Sequence, residues 1–152
     1  PVLKKDMGLI AMSYGYIYVA KCALGANPNQ VVKAFAEAEA YDGPSLLLCY
    51  SHCINHGFNM TKGLEQQKKA VESGHWPLYR YNPDLVKEGK NPLQLDSKEP
   101  TLPLAEYAMG ENRYKVLQRA KPEISKELMD HAQEAVKVRW ALLKHMASNP
   151  NG

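Results

Sequence analysis

The sequence predicts an α/β fold built on parallel strands. Two observations carry this expectation. Helix-like and strand-like segments alternate within the first 50 residues, and the strand-like segments are almost continuously apolar. A continuous apolar run means burial on both faces, as in a parallel sheet covered by helices, whereas strict alternation would leave one face wet. At 152 residues the chain has the length of one domain, and it can bury a core without covalent staples.

Residues 6–14, DMGLIAMSY, form the first expected helix, with Asp6 as its cap and Gly15 as its end. Residues 16–24, YIYVAKCAL, are rich in Tyr, Ile and Val and lie between Gly15 and Gly25, which predicts a buried strand. A helix follows from Asn27, an N-cap, with Pro28 at the first helical position, where its missing N–H costs nothing. Val31, Val32, Phe35 and Ala38 share one stripe of it at helical spacing, with Lys33 and Glu37 opposite. Asp42-Gly43-Pro44 stops that helix, and Ser45 to Tyr50 is a second, short buried strand.

Thr61 to Ser73 reads as a polar surface helix ended by Gly74. HWPLYRY, residues 75–81, is strand or extended edge, with Pro77 barred from a central position. Asn82 to Pro103, rich in Pro, Asp, Lys and Asn, is an irregular connection that wraps the surface. Glu111 to Ala120 is a helix. Pro122 to about Met146 is a longer one, whose stripe of Ile124, Leu128, Ala132, Ala135, Leu142 and Leu143 packs on the body of the protein. NPNG is a frayed tail. The domain organisation expected from this walk is a body over 1–81, a wrapping loop over 82–110 and a helical extension over 111–152.

A net charge of +3 on scattered lysines and arginines predicts a solvated surface and no nucleic-acid footprint. Three cysteines without framework spacing do not predict a disulfide-built secreted domain. No apolar run approaches the ~20 residues of a membrane span. PVLKKDMGLIAMSYG lacks the long apolar core and cleavage site of a secretory leader. The expected compartment is reducing, the cytoplasm or a reducing anaerobic organelle, with no membrane partner.

In a parallel sheet, ligands bind beyond the C-terminal ends of the strands. The segment LCYSHCINHG, Leu48 to Gly57, lies at such an end and holds Cys49, His52, Cys53 and His56. A self-contained zinc site has the right ligand types but the wrong reach. A strand through Cys49 separates it from Cys53 by ~13 Å, against the ~4 Å that zinc-bound sulfurs require. A catalytic thiol with His52 or His56 as base is a second reading, without a surrounding motif to support it. The third is a single ligand given to an iron–sulfur cluster whose other ligands lie elsewhere; Cys53, in a glycine-terminated turn, suits it. Cys22 and Cys49 lie inside apolar strands and read as small buried hydrophobes. Spacing alone does not choose between the third reading and an ordinary buried cysteine.

DMGLIAMSYGYIYVA, the GANPNQ turn, EAEAYDGPSLLL, CINHG, LYRYNP and NPLQLDSKEP occur here in that order. Together they resemble the C-terminal part of the thiamine-diphosphate-binding domain of pyruvate:ferredoxin (flavodoxin) oxidoreductases, from about Lys4 to about residue 145. The resemblance implies part of a thiamine-diphosphate-type parallel sheet with flanking helices, then a long loop and C-terminal helices. It implies an enzyme that turns pyruvate and coenzyme A into acetyl-CoA and carbon dioxide and passes electrons through [4Fe–4S] clusters to ferredoxin or flavodoxin. The expected partners are the remainder of that enzyme, the electron carrier, the substrates and a second copy as homodimer.

By the same resemblance, Cys53 matches one of four cysteines binding the cluster next to thiamine diphosphate. The chemistry of such a cluster makes the backbone amides near Gly57, with Asn55 or His56, candidate donors to its sulfurs, against the alternative of Asn55 as a turn former and His56 as a surface or turn-capping group. Cys22 and Cys49 match no ligand, no residue is expected to be catalytic, and His52 has no assigned role. Magnesium and thiamine diphosphate belong to the parent enzyme; the GDG motif that holds them is absent here. One thiolate does not hold a cubane, so the chain alone is expected to be inactive. The rival expectation is a non-catalytic scaffold chain derived from this domain, with no cofactor of its own.

Overall fold

Strand β1 (Tyr18–Cys22) is buried at all five positions because it is paired on both sides and covered on both faces. A computed structural model describes residues 4–149. Ahead of β1 runs helix α1 (Met7–Met12), whose first N–H groups, Gly8 and Leu9, donate to Asp6 Oδ1 at 3.1 and 3.2 Å. After β1 comes α2 (Pro28–Ala40), capped by Asn27, whose Oδ1 accepts from Gln30 N at 3.0 Å. Then follow β2 (Ser45–Cys49), α3 (Gly63–Glu72), β3 (Tyr79–Tyr81), α4 (Asp84–Lys87), β4 (Leu93–Leu95), α5 (Leu104–Ala108), α6 (Asn112–Ala120) and α7 (Pro122–Ser148). The frayed tail expected at 149–152 falls, apart from Asn149, outside the described residues.

The fold is α/β, and the sheet is mixed. Its order is β2-β1-β3-β4, with β1 parallel to β2 and antiparallel to β3, and β3 antiparallel to β4. The expected parallel pairing is that of β1 with β2, and the short β3 and β4 add antiparallel partners to it. The connection expected to be irregular over 82–103 carries α4 and β4, and β4 returns against β3 in register Tyr81↔Leu93. Three-residue strands leave no periodicity to read, and Pro77 lies just ahead of β3, where it takes no ladder bond.

Strand β2, expected to be buried, is an edge strand. Its leucines are half-buried, and Ser45 and Cys49 are exposed. The apolar run SLLLC reads the same at an edge as in a centre.

One core cluster joins Val19, Tyr79 and Leu93 of the sheet to Ala11 and Met12 of α1 and Leu143 of α7. On the opposite face, Tyr18, Ala20 and Cys22 pack on Ala34 of α2. A third cluster lies off the sheet, among Ala70 of α3, Leu104, Tyr107 and Ala108 of α5, and Val136 of α7.

Two helix stripes are rotated from the expected ones. In α2, Gln30 and Ala34 are buried and Val31 and Ala38 half-buried, whereas Val32 and Phe35 are 69% and 53% exposed. Polar side chains take the inner positions because the sheet presents a charge there. Arg80 of β3 donates through Nε and one terminal nitrogen to both oxygens of Asp96 (2.9 and 2.8 Å), and through the other to Glu37 Oε1 at 2.6 Å. Gln30 and the Tyr18 hydroxyl complete the set, on Asp96 and Glu37 respectively. Burial pulls the Arg80 guanidinium down, but these carboxylates outweigh it and hold its pKa above the ordinary value. Arg80 is thus an ion-pair residue, and Asp96, from the connection after β4, lies inside the pair.

In α7 the inward residues are Ser125, Met129, Ala132, Val136 and Leu143, while Ile124, Leu128 and Leu142 are exposed. Helix α3, expected to be polar and superficial, buries Gly63, Gln66, Gln67 and Ala70.

Candidate functional site: the Cys53 loop

The chain leaves β2 and turns beneath α3 and α6 in one short loop, Tyr50 to Gly57. Its start is fixed to β1, since the Cys22 carbonyl accepts from Tyr50 N at 2.8 Å and from the Trp76 indole N–H at 3.0 Å. Cys53 then adopts extended backbone (φ −135°, ψ 140°) and opens a single 3₁₀ turn over Ile54–His56. Its carbonyl accepts from His56 N at 2.9 Å, and its side chain makes no capping bond. The thiol is half-buried and free.

Gly57 closes the turn at φ +72°, and its carbonyl accepts from Asn112 N at 3.1 Å. A Cβ on Gly57 would sit 2.7 Å from Asn112 Cβ, so both the left-handed backbone and the close approach to α6 require glycine.

His52 has a structural part. The Gln67 side-chain amide donates to its Nδ1 at 2.9 Å, and Gln67 Oε1 accepts from Gly25 N at 2.8 Å. With Nδ1 accepting, the ring proton belongs on Nε2. The ring lies on Gly63, where a Cβ would come within 2.3 Å of Nε2. His52 therefore ties the loop to α3 and to the turn after β1.

His56 is 21% exposed, yet its Nδ1 is buried without a hydrogen bond, 3.6 Å from Oε1 of the fully buried Glu111. That carboxylate is held by Gln66 Nε2 at 3.1 Å and by Arg113 Nε. Behind it, Tyr107 shares a 2.7 Å hydroxyl contact with Tyr50, receives a weaker bond from Arg113, and stacks on His75 at 4.6 Å. Burial lowers the His75 pKa to about 3, so this ring is neutral at pH 7. Asn55, by contrast, is exposed, as is Ile54 beside it.

The four candidates of LCYSHCINHG thus do not converge. His52 is bound to Gln67, His56 faces Glu111, and Cys49 lies in the ladder opposite Cys22. Among the described residues no three His, Cys, Asp or Glu side chains group as metal ligands, and neither imidazole bonds to Cys53. Cys22 is buried as expected, but Cys49 is exposed, because β2 is an edge. Sequence reasoning missed Tyr50, Gln66, Gln67, Tyr107 and Arg113, and read Glu111 only as a helix start. These residues meet across long separations and carry no local spacing signal.

A cavity of about 230 Å³ lies between α5, α6 and α7, lined by His75, Leu104, Arg113, Tyr114 and Met129 among others. No residue of Leu48–Gly57 lines it. No helix among the described residues is long and apolar enough to cross a membrane.

No protein-family model matches the chain. Its curated relatives carry the names of oxidoreductases. It is 56% identical over 148 residues, 97% of its length, to a pyruvate-flavodoxin oxidoreductase of Nostoc sp.. It is 54% identical over 144 residues, 95% of its length, to the pyruvate:ferredoxin oxidoreductase of Moorella thermoacetica. A pyruvate-flavodoxin oxidoreductase of Rhodospirillum rubrum is 48% identical over 144 residues, again 95%. The chain spans 12% of each of these proteins. It is homologous to one segment of the pyruvate-flavodoxin and pyruvate:ferredoxin oxidoreductases.

Proposed function

We propose that this chain acts as the C-terminal part of the thiamine-diphosphate domain of a pyruvate:ferredoxin or pyruvate-flavodoxin oxidoreductase, where Cys53 gives one thiolate to the [4Fe–4S] cluster beside that cofactor. The identity of about half over nearly the whole chain carries the reading. Residues 1–81 would close the α/β domain, 82–110 wrap it, and 111–152 extend it.

The Cys53 loop suits one ligand and no more. Its thiol is free, half-buried and spared from capping, on a loop pinned at Tyr50, His52 and Gly57. A cubane takes four ligands, and Cys22 and Cys49, side by side at the ends of β1 and β2, match no ligand of the resemblance, so the other three thiolates would come from elsewhere in the full-length protein. A bound cluster would accept electrons singly as the 2-oxoacid is oxidised. This chain's share is to hold the thiolate still and tune its surroundings. Donors to sulfur would come from the turn around Gly57, in which the His56 and Gly57 amides are already bonded to the Cys53 and Ile54 carbonyls, with His56 facing Glu111. Ferredoxin or flavodoxin, pyruvate, coenzyme A, magnesium, thiamine diphosphate and a second copy as homodimer follow from the same reading.

The test is Cys53→Ala in the full-length protein, purified anaerobically. The expected result is a loss of about four irons per chain, with pyruvate-dependent reduction of the electron carrier falling to background. Unchanged iron and turnover would overturn the ligand assignment. No iron or labile sulfide in the unaltered protein would favour the scaffold reading instead.

A further inference from the structure

Cys22 and Cys49 end β1 and β2 and are direct partners in the parallel ladder. Adjacent strands lie about 4.8 Å apart, inside the Cα separation of about 4.4–6.8 Å that a disulfide spans. In-register parallel partners share a face. Two residues earlier, Ala20 and Leu47 are paired and pack in the same α2-facing cluster as Cys22. The two thiols differ in access, since Cys22 is 1% exposed and Cys49 lies exposed at the sheet edge. Burial, reinforced by the neighbouring Cys49 sulfur, pushes the Cys22 thiol up to about 12. Cys22 is therefore the poorer first nucleophile and Cys49 the accessible one.

We propose that Cys22 and Cys49 form a dithiol modification site, which a small-molecule disulfide converts into a cross-strand disulfide. The Cys49 thiolate attacks one sulfur of the small disulfide. That S–S bond breaks, one half departs as a thiolate and takes up a proton, and a mixed disulfide remains on Cys49. Cys22 then gives up its proton and attacks Cys49 Sγ, releasing the second half as a thiol. Two protein thiols are oxidised, one small disulfide is reduced to two thiols, and the protein's two protons leave on them. The new bond fastens the edge strand β2 to β1 at the end from which the Cys53 loop departs. The site needs neither a cluster nor the parent enzyme's activity.

The experiment equilibrates the protein, at its natural full length, with oxidised glutathione, alkylates it, digests it with trypsin and reads the peptides by mass spectrometry. Cys22 falls in the tryptic peptide 22–33, and Cys49 shares 34–62 with Cys53. The expected product is 22–33 linked to 34–62, with fragmentation placing the bond on Cys49. Cys22→Ser should trap a lasting glutathione adduct on Cys49, and Cys49→Ser should leave Cys22 unmodified. An adduct that accumulates on Cys49 of the unaltered protein while Cys22 stays free overturns the proposal. So does an unmodified Cys49, or a bond from Cys49 to Cys53. If a variant fails to fold, the peptide map of the unaltered protein decides.

Discussion

Two polar networks flank β1, and they differ in how they end. Between the sheet and α2, Arg80, Glu37, Asp96, Gln30 and Tyr18 bond to one another, so that every charge is met within the chain and Gln30 Oε1 alone of their buried side-chain atoms is left without a partner. Behind the Cys53 loop, Glu111, Gln66, Arg113, Tyr107 and Tyr50 form a second network, which ends beside His56, whose buried Nδ1 has no partner. A network closed in charge serves the fold, since each of its ionic members is compensated. The second leaves an imidazole nitrogen whose desolvation nothing in this chain repays, beside the loop that carries a free cysteine, and such a group points to chemistry beyond folding.

The sharpest way to break the contrast is at the closed network. Arg80→Met leaves two largely buried carboxylates facing each other without their cation. It should cost about 3–5 kcal/mol in urea unfolding, because an uncompensated buried charge remains. A loss below about 1 kcal/mol would mean the seam is solvated.

Gly57→Ala tests the open network at its hinge. The positive φ and the Asn112 contact predict a loss of about 2–3 kcal/mol. In iron-free protein the Cys53 thiol should also be labelled faster by a maleimide, while Arg80→Met in a still-folded state leaves that rate unchanged. Equal effects on labelling would erase the distinction between the two regions.

The smallest effect concerns pH. His75, stacked on Tyr107, has its pKa lowered from 6.5 to about 3 by burial. Between those values the unfolded chain binds more protons, so stability falls as pH drops below 6.5. From pH 6.5 to 5 this one group should remove about 2 kcal/mol. His75→Gln should flatten that slope relative to the unaltered protein, measured by denaturant midpoints; parallel slopes would refute the buried neutral ring.

What the sequence made legible was local. Asp6, Asn27 and Pro28 announced their helices because a cap acts within three or four residues. The turn of CINHG was readable for the same reason, as Gly57 needs its backbone whatever surrounds it. The α2 stripe went astray because Glu37 and Gln30 turn inward for Arg80 and Asp96, partners dozens of residues away. Cys49 was misplaced because an apolar run does not say whether its strand has one neighbour or two. His52 has meaning only once Gly63 and Gln67 lie against it.

Helix α7 runs 27 residues, about 40 Å of unbroken rod. It sends Leu143 into the core under the sheet and Val136 into the core beside the Cys53 network. Two turns of helix separate those anchors, too short a span to bend or fray independently. The rod acts as a shared beam, so the two cores should melt together, and a disturbance in one carries to the other as mechanical load.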